Sequence, residues 1–152
     1  MGTFILQMMN ALSYGFLLFI ITSGITIIFG ILGVLNLAHG SLYLLGSYIG
    51  YSIIMNAGLP FWVALLAVPI IIAIIGLFIE FVLLRPTYKL GHLSQVLVTF
   101  GLAYILHDIF SIFWGKNVMV VNPPAFLNYS IELLGFSIPA YRLSLILIGC
   151  II

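Results

Sequence analysis

No charged residue interrupts the chain between Phe4 and Ala57, and apolar side chains follow one another there without the strict alternation of a half-buried strand. A helix that crosses a bilayer takes about 20 mainly apolar residues, each rising about 1.5 Å. The stretch therefore holds two crossings if the chain turns between them. Gly30, Gly33 and Gly40, with Asn36 and His39 among them, supply the turn, because glycine lowers the cost of a bend and polar side chains satisfy the freed backbone groups. The pattern predicts span one over about 4–29 and span two over about 34–55. A second reading makes 33–40 a re-entrant or loop segment and shortens span two, and the sequence leaves both open. Asn56-Ala57-Gly58-Leu59-Pro60 reads as a turn. Span three follows over 61–84, with a kink expected at Pro69. Arg85-Pro86 ends it, a short polar loop runs to His92, and span four covers about 93–113.

Beyond span four the character changes. Gly115 to Tyr141 carries Lys116, Asn117, Asn122, Pro123, Pro124, Asn128 and Glu132, which places it largely in water or at the interface. Trp114, Tyr129 and Tyr141 suit the aromatic belt at that boundary. After Arg142 the ten residues Leu143–Ile152 are apolar but for Ser144 and Gly149. They rise about 15 Å, half of a hydrocarbon core about 30 Å thick, so the fifth span (143–152) is incomplete. The expectation is the N-terminal part of a longer permease-like protein, or one half of a split one. The fold class predicted is an all-α polytopic membrane protein, one transmembrane domain with about four complete transmembrane helices plus the start of a fifth.

Composition narrows the class further. Only four basic and three acidic residues occur among 152, and 64% of the residues are hydrophobic. Seven charges cannot cover a water-facing surface, which in soluble domains is built from about 25% charged residues. The solvent for most of the chain is lipid, and a multi-pass location in the cell (inner or plasma) membrane follows. A net charge of +1 offers no basic patch for nucleic acid. Met1 to Phe4 carries no Lys or Arg ahead of the apolar run, so the first segment reads as a retained span and not as a cleaved leader. The Gly-x-x-x-x-Gly-Lys-Ser/Thr pattern is absent, which excludes ATP hydrolysis by a P-loop. The single Cys150 closes no disulfide within the chain. Arg85 and Lys89 stand on one loop and Lys116 and Arg142 on the opposite one, a tie in the positive-inside count. The shorter, acid-free loop is assigned to the cytoplasm, which puts the N-terminus outside.

Span two carries a stripe that a lipid anchor does not need. Asn36, His39, Tyr43, Gly46 and Gly50 step by three or four residues and fall on one predicted helical face, bordered by Ser47, with Leu42, Leu44, Leu45 and Ile49 expected to face lipid. Polar side chains in a span usually face a bundle interior or a wet cavity, so Asn36, His39 and Tyr43 are candidates to line or gate a solute path. Gly46 and Gly50 form a small-x-x-x-small pattern that lets two helices approach closely and are read as packing positions. Gly15, Thr22, Thr26 and Gly30 make a milder face on span one, where threonines commonly bond back to a carbonyl one turn earlier. Glu80, about a turn before Arg85, is expected to form an interfacial ion pair or to snorkel. His107 and Asp108 admit a proton relay. The three histidines have no metal-ligand spacing, no catalytic constellation is legible, and neither a cofactor nor an enzyme activity is expected.

These residues carry a resemblance. Gly30-Ile-Leu-Gly33-Val-Leu-Asn36-Leu-Ala38-His39-Gly40-Ser-Leu-Tyr43-Leu-Leu-Gly46-Ser-Tyr48 resembles the GIxGxxNxAHGxxYxxGAY signature of branched-chain amino acid ABC transporter permeases of the LivH type. Glu80-Phe-Val-Leu-Leu-Arg85-Pro86 is similar to that family's ExxxxRP at the end of a span. Val98-Thr99-Phe100-Gly101-Leu102, and Ile131-Glu-Leu-Leu-Gly135-Phe-Ser-Ile138 through Arg142-Leu143, resemble its following segments. Two places depart from it: His107-Asp108, where neutral amides are common, and Ser41, where an acidic residue often follows Ala-His-Gly. The resemblance implies one permease subunit of an ATP-driven importer, working with a second permease subunit, two ATPase subunits and an external solute-binding protein. Its implied substrates are branched-chain or other small neutral amino acids, which are zwitterions without net charge. Urea or short amides would suit the same path. An ion-coupled secondary transporter or channel, with Glu80, His107 and Asp108 as its titratable groups, and a non-transporting membrane scaffold are the other classes considered.

Overall fold

The computed structural model describes residues 2–115, 117, 119–122, 124, 127–133 and 136–151; Met1, Lys116, Pro123, Gly135 and Ile152, named above, lie outside the described residues. In chain order come α1 (Gly2–Leu32), α2 (His39–Tyr51), α3 (Phe61–Ile79), α4 (His92–Phe113), the strands β1 (Ser130–Leu133) and β2 (Phe136–Pro139), and α5 (Ala140–Ile151). Two of the helices change winding before they end. α2 runs on through a π-helical turn, Ser52–Asn56, and α3 through a π-helical turn, Glu80–Leu84, and a 3-10 turn, Arg85–Lys89.

The helix ends follow from glycine. Gly33 takes a φ of 63° and donates its N–H to the Phe29 carbonyl at 2.9 Å, closing α1 with the left-handed residue that only glycine adopts freely. Gly115, with a φ of 77°, follows α4 in the same way. Gly58, with a φ of 66°, turns the chain between α2 and α3, and Pro60 precedes the first helical residue of α3. Pro69 lies inside α3.

Among the described residues three helical stretches are long and apolar enough to cross a membrane: Gln7–Ile31, Phe61–Lys89 and His92–Phe113. The second predicted span is the one that differs. Residues 33–38 are not helical, and α2 starts only at His39. Of the two readings left open, the one with a loop segment and a shortened second helix describes the molecule. The helical membrane class holds, with a two-stranded antiparallel hairpin added inside the stretch after α4. Its register pairs Ser130 with Pro139 and Leu133 with Phe136.

The chain divides into two compact units, 1–24 with 122–152, and 25–121. In the first, the Ala140 N–H donates to the Tyr129 carbonyl at 2.9 Å, so the hairpin runs directly into α5. There Gly149 is buried, and a Cβ on it would meet Phe16 of α1, 2.9 Å from that residue's Cβ and Cγ. In the second unit the core is made by Val34 and Ala38 of the non-helical segment, Leu45 of α2, Ile79, Leu84, and Leu102, Leu106 and Phe110 of α4. Leu42, Tyr48, Ile49, Ile72 and Ile75 pack against it. Large apolar side chains elsewhere stay uncovered, Ile112 at 78% for example. That surface is unfavourable in water and natural in acyl chains, where helices associate through close packing.

Candidate functional site

The interruption between α1 and α2 is the polar feature of the second unit. Thr99 of α4 is 0% exposed, and its Oγ1 accepts the Leu37 N–H at 3.1 Å. The same oxygen lies 2.9 Å from the carbonyl of Gln95, one turn back, and 3.4 Å from that of Leu35. A hydroxyl has one proton to give and two lone pairs, so Thr99 at once closes its own helical turn and holds the unwound backbone against α4. Asn36 stabilises the segment from within. Its Oδ1 accepts the Ala38 N–H at 3.0 Å, the local bond by which Asn replaces a backbone turn. The His39 N–H reaches the Asn36 carbonyl at 3.3 Å. Val34 and Ala38 are buried on either side of Asn36, while Asn36 and His39 themselves are half-buried.

Gln95 stands one turn before Thr99, 4% exposed, and its Oε1 has no hydrogen-bond partner among the described residues. Buried polar atoms are nearly always paired, which sets this oxygen apart. Neither Gln95 nor Thr99 was singled out from the sequence as a candidate. The signal was available: two polar side chains four apart in a predicted span share a helical face.

The predicted stripe on α2 divides in two. Gly46 and Gly50 turn toward α3, where a Cβ on Gly46 would lie 3.4 Å from Val68 Cγ1 and 3.5 Å from Ile72 Cγ1, and one on Gly50 3.7 Å from Val68 Cγ2. Tyr43, by contrast, is 48% exposed, and Ser47, also exposed, donates to the Tyr43 carbonyl at 3.2 Å. Asn36 lies outside the helix, so it shares no helical face with the others. The expectation that Leu42, Leu44, Leu45 and Ile49 all face lipid is corrected. Leu45 is buried and Leu42 and Ile49 pack against the core, leaving Leu44 as the exposed one. The reason is that α2 has neighbours on two flanks, α3 against its glycines and α4 against Leu45 and Tyr48, so more than half of its circumference is covered.

At the far end of α2 an aromatic cluster joins it to α4. Tyr48 stacks on Trp114 with centroids 5.1 Å apart and lies 5.4 Å from Phe110. Trp114 Nε1 donates to Ser52 Oγ at 2.8 Å, at the start of the π-helical turn. On α1, Thr22 Oγ1 donates to the Leu18 carbonyl at 2.9 Å, the local bond expected there. Glu80 does not form the expected pair with Arg85: its Oε1 accepts from the Tyr88 hydroxyl at 3.0 Å, and the Arg85 guanidinium lies 5.4 Å from the centroid of the Phe81 ring. An aromatic face and a neutral hydroxyl, both local, satisfy the two groups separately. His107 and Asp108 are exposed. No cluster of three metal-ligating side chains occurs among the described residues.

Residues 7–152 match the family described as "Branched-chain amino acid transport system / permease component". The chain is 33% identical over 122 residues to the high-affinity branched-chain amino acid transport system permease protein LivH of Salmonella typhimurium, covering 75% of this chain and 40% of that one. It is 32% identical over the same length to LivH of Escherichia coli strain K12, with the same coverage. Against the permease protein BraD of Pseudomonas aeruginosa it is 30% identical over 110 residues, 67% of this chain and 36% of the relative. The chain thus spans about 40% of the length of the curated relatives it matches. No solved structure matches it. These relatives are named as transport permeases, not enzymes, and the chain belongs to the branched-chain amino acid transport permease family.

Proposed function

We propose that the chain forms part of the permease subunit of an ATP-binding-cassette importer for branched-chain or other small neutral amino acids. Separate ATPase subunits supply the energy, a second permease subunit completes the path, and an external binding protein delivers the solute. The described helices belong to one transmembrane domain in this reading. Asn36, His39 and Tyr43 line or gate the path, and Gly46 and Gly50 hold α2 close to α3.

The observation that carries the reading is the non-helical stretch 33–38 within a run free of charge. Unwound backbone at membrane depth persists where it is buried in protein or lines a wet cavity, and interrupted helices are a common way to build a solute site there. Here Val34 and Ala38 are buried in the core with residues of α4, whereas Asn36 and His39, the first residue of α2, are partly open. A zwitterion with an apolar tail needs hydrogen-bonding groups and little fixed charge, which is what this segment offers.

His39→Ala in the full-length protein is expected to lower amino acid uptake by about three- to tenfold, the effect of one neutral hydrogen bond worth about 0.5–1.5 kcal/mol, while the amount of assembled transporter stays at the wild-type level. Radiolabelled leucine uptake, normalised to assembled protein, measures it. Unchanged uptake would remove His39 from the path.

A further inference from the structure

A second polar concavity lies away from residues 33–38, toward the Trp114 end of α2 and α4. Leu44, Tyr48 and Tyr51 recur at i, i+4 and i+7 on α2, and His107, Phe110 and Ser111 at i, i+3 and i+4 on α4, so each helix presents one face. Leu44, Tyr48 and Tyr51 with Asn117, Met119 and Val121 line one cavity of about 390 Å³, and Leu44 and Tyr48 with His107, Phe110, Ser111 and Gly115 line another of about 380 Å³. At about 30 Å³ per water, each holds about a dozen waters. Ligand sites begin at about 300 Å³, so the space suits a small solute and no large one.

The lining is chemically mixed. Leu44, Phe110 and the Tyr48 ring are apolar. The Tyr51 and Ser111 hydroxyls and the His107 imidazole supply donors and acceptors. Among the described residues no carboxylate or Lys/Arg side chain lines either cavity. The floor is firm, since Tyr48 is stacked on Trp114 and Trp114 is tied to Ser52. The π-helical turn that begins at Ser52 follows Tyr51 directly, and such turns inside helices are frequent at functional sites.

We propose that the groove of about 380 Å³ is a second resting site for a small neutral amino acid, its side chain against Leu44 and Phe110 and its charged ends toward His107 and Ser111. The proposal rests on the transport reading above and assigns that solute a station apart from Asn36 and His39. A thiol test separates it from a seat for another helix. In the full-length protein in membrane vesicles with its partners, Cys150→Ser and replacement of the remaining cysteines give a silent background. Ser111→Cys then places a thiol in the groove with little change in volume, and Ile112→Cys places one on the uncovered apolar surface.

A charged maleimide is expected to label the thiol at 111. Leucine at about twice its dissociation constant is expected to slow that labelling about threefold, by simple occupancy, more than isobutyramide does at the same concentration, while the thiol at 112, facing acyl chains, stays unlabelled by the charged reagent throughout. An unreactive thiol at 111, equal rates with and without leucine, or better protection by isobutyramide would each overturn the proposal. His107→Cys decides by the same outcomes if Ser111→Cys does not assemble. Leucine uptake by the unmodified protein is followed in parallel. Its absence would remove the transport reading, whereas uptake without protection would remove the groove alone.

Discussion

Gly46→Leu in the full-length protein is expected to reduce the assembled protein to less than about a tenth of the wild-type amount, whereas Gly46→Ala assembles normally. The contrast follows from distances. A Cβ at position 46 would sit 3.4–3.5 Å from Val68 and Ile72, ordinary van der Waals contact, so alanine fits. Leucine adds three more carbons in the direction of those two side chains. Overpacking a close contact costs about 1–3 kcal/mol and at times more, and α2 has little freedom to retreat. A second flank, about 100° round the helix, bears Leu45, in the core with Leu102, Leu106 and Phe110, and its α-helical part is 13 residues long. In lipid no hydrophobic force between helices compensates for lost fit. Gly50, whose added Cβ would be 3.7 Å from Val68, is expected to accept alanine as well. The measurement is the yield of the intact complex after mild extraction and size separation. A leucine variant recovered at wild-type yield would mean that α3 can move aside at no cost.

How far this packing could be read from sequence depends on the residue. The apolar runs that become α1, α3 and α4 are legible because length and absence of charge alone specify a helix that crosses lipid. The turn after α1 is legible in Gly30, Gly33 and Asn36, but its extent is not, because Gly33 ends the helix while Ala38 and Val34 hold the next residues in the core by tertiary contact. That extent decided the error on α2. Counting a helical face from Asn36 assumes 100° per residue through positions that are not helical, and it hides the fact that α2 is flanked on two sides. Leu45 therefore looked like a lipid-facing residue when it is a core residue. Thr99 is visible as one of two polar residues four apart in a span, but its role arises from an unwound backbone 62 residues away in sequence. The hairpin at 130–139 has too short a pattern to declare a period, and no local rule supplies the bond from Trp114 to Ser52 at the start of the first π-helical turn, 62 residues away in sequence.

Thr99→Val is the change expected to act most directly on the unwound segment. Valine keeps the shape of threonine and removes the oxygen that accepts the Leu37 N–H. That N–H then faces a methyl group with water only partly at hand, and an orphaned buried donor costs about 1–3 kcal/mol. Because the segment is only partly covered, the lower part of that range applies, about 1–2 kcal/mol, which shifts a two-state balance about five- to thirtyfold. The core of the second unit does not depend on this bond. Leu45, Leu102, Leu106 and Phe110 keep their contacts, so the protein is expected to assemble and, in the transport reading proposed above, its uptake to fall by about that factor. Thr99→Ser keeps the oxygen and loses a methyl group, and it is expected to retain most of the uptake. If both variants lose uptake equally, the methyl packing and not the hydrogen bond holds the segment. If the valine variant transports as well as wild type, the 33–38 backbone keeps its place without α4, and a path there no longer depends on Thr99.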